Sequence, residues 1–200
     1  MRVLVAYASR YGATRGIAER IAEVLRQQDQ EVVVQPVREA SDPSGYEAFV
    51  IGSAAYYFHW MMDARKFVRR HRDLLASRPV WLFSSGPLGT KTEDDQGRDL
   101  RTVLEPREIE EFRNTISPVE HRVFFGAMDP GGLNFTHRLL FKLPANRDNA
   151  LFPIGDFRDW SDIEAWARTI GVELRGAANW PAAVHPDADA PGKPDPSLHR

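Results

Sequence analysis

VLVAYASRYGATRGIAERIAEVL, residues 3–25, carries two hydrophobic patterns that meet across a polar hinge. Residues 3–8 are apolar and few, with the β-branched Val3 and Val5, and predict a strand buried on both faces, as in a parallel sheet. After the hinge, Ile17, Ala18, Ile21, Ala22, Val24 and Leu25 recur at helical spacing, and Arg15, Glu19, Arg20, Glu23 and Arg26 take the opposite face. Between them lie Ser9, Arg10, Tyr11, Gly12, Ala13 and Thr14, at the carboxyl end of a strand facing the amino terminus of a helix. Unpaired backbone N–H groups converge there and the helix dipole adds partial positive charge, so the junction favours an anion. The Ser9 and Thr14 hydroxyls suit phosphate oxygens, and Gly12 lets the backbone close without a Cβ in the way. A Thr beside a helix start is equally a plain N-cap in proteins that bind nothing. The hinge lacks both GxGxxG and a GK[ST] ending, so neither dinucleotides nor nucleoside triphosphates are favoured.

Outward from this unit the alternation continues. Residues 32–34, 49–51 and 80–83 read as short strands bounded by Pro, Gly or Ser. An amphipathic helix with Ala64, Phe67, Val68, His71, Leu74 and Leu75 on one stripe lies between the third and fourth, ended by Pro79. Pro106 suits the first turn of a third helix through Phe112, followed by a strand around residues 123–127. Ser161 and Glu164 have capping-box spacing for a last helix whose buried face is Ile163, Trp166, Ala167, Ile170 and Leu174. Five strand–helix units imply a parallel sheet.

Two further loops leave strand carboxyl ends beside the first. One contains Ala54, Ala55, Tyr56, Tyr57, His59 and Trp60; the other contains Ser85, Gly86, Pro87, Leu88 and Gly89. Small residues leave room for a planar ligand, and Tyr56, Tyr57 and Trp60 offer aromatic surface against it or simply pack the rim. In a doubly wound sheet the ligand crevice falls between such loops. Residues 128–158 break the pattern and read as an insertion, and beyond residue 176 the Pro, Asp and Lys content is that of a disordered tail.

With 200 residues, of which 42% are hydrophobic, the chain suits one domain, residues 1–175. A formal net charge of −2 supplies no general attraction for nucleic acid or anionic lipid. The absence of cysteine excludes disulfides, thiolate chemistry and Cys-ligated metal centres, so redox chemistry would come from a bound cofactor. The apolar start is too short for a signal or a membrane span, and a cytoplasmic protein is expected.

Taken in order, VAYASRYGATRGIAERIAEVL, VIGSAAYYFHWMMDARKFVRRH, FSSGPLG and GDFRDWSDIEAWA resemble the flavodoxin domain family, and more narrowly its menaquinone-dependent protoporphyrinogen oxidase type. The resemblance spans nearly residues 1–175. It implies an α/β fold with a doubly wound, five-stranded parallel sheet in the order 2-1-3-4-5 and an insertion near the last strand. It also implies FMN, with the phosphate on residues 9–14 and the ring between residues 54–57 and 85–89. Arg10 and Tyr11 depart from the TGTGNT-like loop of short flavodoxins; Arg10 either pairs with the phosphate or stays solvated.

FMN carries the chemistry, and the protein would position and tune it. His59 and His137 are the titratable loop candidates, though loop histidines are more often surface residues, and Asp156 and Asp159 suit capping of the last helix. No acid–base residue or metal ligand set is assigned. Phe135, Arg138, Leu139, Leu140, Phe141, Lys142 and Leu143 make residues 134–143 amphipathic and basic, fit either for a bilayer surface and a quinone or for covering the sheet edge. Three functions follow: an FMN oxidoreductase moving electrons from a small organic substrate, with protoporphyrinogen as the family suggests, to a quinone; an electron carrier for protein partners; or a deazaflavin-binding or regulatory relative.

Overall fold

The computed structural model describes residues 1–86, 88–128 and 154–176. Its first unit is β1 (Arg2–Ala8) and α1 (Ala13–Arg26). Then come β2 (Glu31–Pro36), β3 (Ala48–Tyr56), β4 (His59–Trp60), α2 (Met62–Arg70), α3 (Arg72–Ala76), β5 (Val80–Ser85), α4 (Leu100–Val103), α5 (Glu108–Ile116), β6 (Glu120–Phe124), β7 (Ala127–Met128), β8 (Gly155–Asp156) and α6 (Trp160–Gly176).

The main sheet runs β2-β1-β3-β5-β6 with every neighbouring pair parallel. This is the expected 2-1-3-4-5 arrangement, renumbered because the short β4 folds back antiparallel on β3. Alternate side chains of each central strand feed two separate cores. Val3 and Val5 of β1, Ala48 and Val50 of β3, and Trp81 and Phe83 of β5 join α1 and α6 on one face. Leu4 and Ala6, Phe49 and Ile51, and Val80 and Leu82 join α2, α3 and α5 on the other. Both faces of the strands are therefore covered, which is why they read as continuous apolar runs. Each large side chain buried in this way stabilises the fold by about 1.5–3 kcal/mol. Trp166 illustrates the density, sitting edge-on to Phe83 and Phe124 with ring centroids at 6.3 and 5.5 Å. At Gly52 the Phe83 ring lies so close that a Cβ would meet it at 1.9 Å.

Several local expectations change. The helix stripe from Ala64 to Leu75 is split at His71, whose backbone leaves helical geometry (φ −105°, ψ 20°). The third helix starts at Glu108 rather than at Pro106, because Pro106 lies in the preceding turn and its carbonyl accepts from the Ile109 N–H; it continues past Phe112 to Ile116, which closes the core. The fifth strand begins at Glu120 and stops at Phe124, and pairing resumes only in β7, so residues 123–127 are not one strand. Asp159, not Ser161, caps α6: its carboxylate accepts from the Asp162 N–H at 3.0 Å and from the Ser161 hydroxyl at 2.5 Å. Helix α4, capped by Asp99 accepting from the Arg101 N–H at 2.8 Å, has no periodic signal in the sequence.

Most of the expected insertion, with His137 and the amphipathic residues 134–143, lies outside the described residues, as does the tail beyond residue 176. Its flanks are described: β7 and β8 pair antiparallel, Ala127 with Asp156 and Met128 with Gly155. No described helix is long and apolar enough to cross a membrane.

Candidate functional site

The hinge of the opening unit makes a tight turn. Gly12 sits at φ +89°, in the left-handed region that glycine occupies freely, and precedes the first residue of α1. Its N–H donates to Ser9 Oγ at 3.0 Å, fixing the turn. Thr14 is fully buried in the first turn of α1, and its Oγ1 has no hydrogen-bond partner. A buried hydroxyl without a partner costs about 1–3 kcal/mol. Here it is held at the positive end of a helix, beside N–H groups that have no intrahelical acceptor.

The three loops singled out from the sequence do converge. One narrow cleft is lined by Ser9, Arg10, Tyr11, Ala13 and Thr14 from the hinge, Ala54, Ala55 and Tyr56 from the end of β3, and Ser85, Gly86 and Leu88 from the end of β5. The parallel ladder explains the convergence: β1, β3 and β5 are adjacent, so their carboxyl ends open on one edge. A fourth wall, Gly126, Ala127 and Met128, goes beyond the sequence-based expectation. Gly126 lies two residues beyond the end of β6; a Cβ there would stand 3.3 Å from Ser85 Oγ, and one on Gly86 would stand 3.4 Å from the Ala55 Cβ. The cavity itself is narrow, about 50 Å³. Burial pushes the Tyr56 phenol up to about 12, with Tyr11 reinforcing and Arg10 opposing the shift. Arg10 is exposed and lies over the Tyr11 ring at 5.6 Å.

Other expected residues stand elsewhere. Trp60 is 1% exposed and belongs to the core, edge-on to Phe112 and donating from Nε1 to Ser84 Oγ at 2.7 Å. It offers no surface to the cleft. Tyr57, 89% exposed, is at the tip of the β3–β4 hairpin, outside the cleft lining. Gly12 shapes the hinge from its outer side, Gly89 lines a neighbouring hollow, and Pro87 lies outside the described residues. That hollow, about 760 Å³, is wider and is bounded by Arg101, the end of β6 and the start of α6. Asp156 pairs with Arg158 and Asp159 caps α6, neither of them in the cleft.

His59 is a clip. Its Nδ1 lies 2.7 Å from Glu108 Oε1, and the same buried carboxylate accepts from the Trp60 N–H at 3.1 Å and from Arg65 Nη1 at 3.1 Å. Burial works to raise the Glu108 pKa, but the bonds from His59 and Trp60 outweigh it and hold the group below the usual carboxylate value. A second buried chain runs from Trp60 through Ser84 to His121 Nε2 at 2.8 Å and from His121 Nδ1 to Glu105 at 2.9 Å. Burial pushes His121 down to about 4 against the pull of Glu105. Neutral His121 accepts from the Ser84 hydroxyl and donates to Glu105, a Ser–His–Glu sequence whose Ser84 and His121 are buried and engaged by Trp60 while Glu105 stays partly exposed and pairs with Arg113.

A family model described as Flavodoxin domain matches residues 4–150. The chain belongs to the flavodoxin domain family. It is 30% identical over 95 residues to protoporphyrinogen IX dehydrogenase (quinone) of Escherichia coli strain K12, a match covering 46% of this chain and 52% of that protein. The chain thus spans about half the length of the curated relatives it matches. Among solved structures it is similar to a flavodoxin from the domain Archaea (17% identity, 88% of this chain and 99% of that one, TM-score 0.53). It is also similar to a cysteine-to-serine mutant of Pseudomonas aeruginosa flavodoxin (14%, 88% and 100%, TM-score 0.55) and to the rubredoxin oxygen:oxidoreductase of Desulfovibrio gigas (14%, 88% and 36%, TM-score 0.51). At these identities the likeness is one of fold. Fold and family together support a flavin-binding redox protein.

Proposed function

We propose that the cleft holds FMN and that this flavodoxin-family protein moves electrons from a small organic donor to a quinone, with protoporphyrinogen IX as the candidate donor. The observation that carries the reading is Thr14: a fully buried Oγ1 without a partner, in the first turn of α1 and at the floor of the cleft. A phosphate there would accept from that hydroxyl, from the Ser9 hydroxyl and from the N–H groups of the first helical turn. The small residues Ala54, Ala55, Gly86 and Gly126 form a cradle that larger side chains would fill, which fits a flat ring. Bound FMN supplies hydride and single-electron chemistry.

The side chains divide the remaining tasks. Arg10 brings a charge to the phosphate end, and Tyr11 and Tyr56 bring aromatic surface, with the Tyr56 phenol a donor that stays protonated. Leu88, Ala127 and Met128 exclude water. Among the described residues the cleft lining contains no carboxylate and no histidine; its polar side chains are the Ser9, Thr14 and Ser85 hydroxyls, the Tyr11 and Tyr56 phenols and Arg10. The donor and quinone assignments rest on the Escherichia coli relative. The formal charge of −2 favours them mildly over a strongly acidic electron carrier.

The protein purified without added flavin is expected to show a flavin absorbance spectrum and to release FMN on denaturation. Colourless protein that also fails to take up FMN would overturn the cofactor assignment, and tighter uptake of a deazaflavin would replace it. With FMN established, failure to oxidise protoporphyrinogen with a menaquinone analogue would remove that substrate.

A further inference from the structure

Resting on the FMN reading, we infer that Arg158 is a positioning residue that holds the phosphate loop in its binding geometry. Its guanidinium reaches three structural parts at once. Nε and Nη2 donate to the two carboxylate oxygens of Asp156 at 2.7 Å each, Cζ lies 4.3 Å above the Trp160 ring, and Nη1 donates to the Ala13 carbonyl at 3.3 Å. Ala13 is the first residue of α1 and lines the cleft. Asp156 pairs across the β7–β8 ladder with Ala127, which lines the cleft from the opposite side. One side chain therefore ties the hinge that would carry phosphate to the wall that would close on the ring.

The first turn of a helix is held by few of its own hydrogen bonds and frays most readily. Phosphate binding here requires the N–H groups of that turn and the Thr14 hydroxyl to converge. A planar, two-pronged guanidinium locked by a carboxylate and stacked on an indole is suited to fixing the turn; lysine would lack the second prong. The fit also constrains Gly16: a Cβ there would lie 2.6 Å from Arg158 Nη1. Gly16 follows the helical ladder, its N–H donating to the Gly12 carbonyl at 2.9 Å, so it is not needed for a left-handed backbone. The space it leaves is filled by Arg158. Arg20 adds a second, looser tie, over the other end of the contact at 5.7 Å from the same Trp160 ring.

The test is the affinity of two flavins, FMN and riboflavin, which lacks the phosphate, measured by flavin fluorescence for wild type, R158A, R158K and G16A. R158A and R158K are expected to bind FMN about tenfold more weakly or worse while riboflavin changes by less than about twofold, because the guanidinium bonds a cleft-lining residue directly only at the phosphate end, at Ala13, and the ring wall keeps its own β7–β8 ladder. G16A displaces the guanidinium while removing a helical glycine, so its melting temperature is expected to hold or rise as its FMN affinity falls. Equal losses for both flavins, or unchanged FMN binding in R158A or G16A, would overturn the inference while leaving the FMN site intact. Wild-type protein that binds neither flavin would overturn the FMN reading, and this inference with it.

Discussion

At Thr14 stability and binding pull in opposite directions. Its hydroxyl is buried and unpartnered, so Thr14→Val should leave the flavin-free protein as stable or up to about 1 kcal/mol more stable, yet weaken FMN by about 1–2 kcal/mol through the lost donor. Chemical denaturation and flavin titration of the same variant check both signs. His121 makes a second prediction. Its folded pKa, about 4, lies below the ordinary 6.5, so between these values the unfolded chain takes up a proton that the folded chain refuses. Its contribution is intact above about pH 6.5 and is lost as the pH falls toward 4, by on the order of 3 kcal/mol. Urea unfolding from pH 7 to 4.5 should show that loss in wild type and a shallower one in H121Q; parallel slopes would refute the assignment. The sequence made Ser9, Thr14, Ala55 and Gly86 legible because each follows a recognisable strand. It could not separate Tyr56, which lines the cleft, from Tyr57 and Trp60, since only the hairpin between them decides which way each ring goes.

That hairpin sets the prediction at the scale of the element. Tyr57 and Phe58 both have positive φ, 51° and 64°, as a two-residue turn between paired strands demands. Neither is a residue that favours such a backbone, and the strain is on the order of 1–3 kcal/mol per residue. An Asn-Gly dipeptide adopts this turn readily, so the double substitution Tyr57→Asn with Phe58→Gly should raise the melting temperature. The turn is kept in register by Glu108 through His59, the Trp60 N–H and Arg65. Glu108→Ala should therefore cost about 1–3 kcal/mol, because it leaves the buried Trp60 N–H without an acceptor while His59 and Arg65 can turn to solvent. Periodicity revealed α1, α6 and the central strands because their apolar patterns are long or uninterrupted. It missed β4 and α4, two and four residues long, which are held by pairing and a cap rather than by an apolar stripe.

For the molecule as a whole, a ligand that binds only the folded state adds about 2.7 kcal/mol at a hundred times its dissociation constant, which for a domain of this size is roughly 5–10 °C in melting temperature. At the same FMN concentration, wild type should give that shift, riboflavin should give less, and FMN should give about a third to two thirds of it in Thr14→Val. The alternation of strands and helices supplied the parallel sheet, and the resemblance to the flavodoxin family supplied its strand order. The cleft's fourth wall was hidden because it follows a break in the last strand, where pattern ends and tertiary pairing takes over. The β7–β8 ladder has a consequence for protein engineering. It brings Met128 opposite Gly155, so the described chain on either side of the intervening stretch meets at neighbouring backbones. Replacing that stretch with a two-residue Asn-Gly turn should yield a shortened protein that keeps its sheet, and grafting the stretch of a relative onto the same two anchors would exchange whatever specificity it carries without redesigning the scaffold.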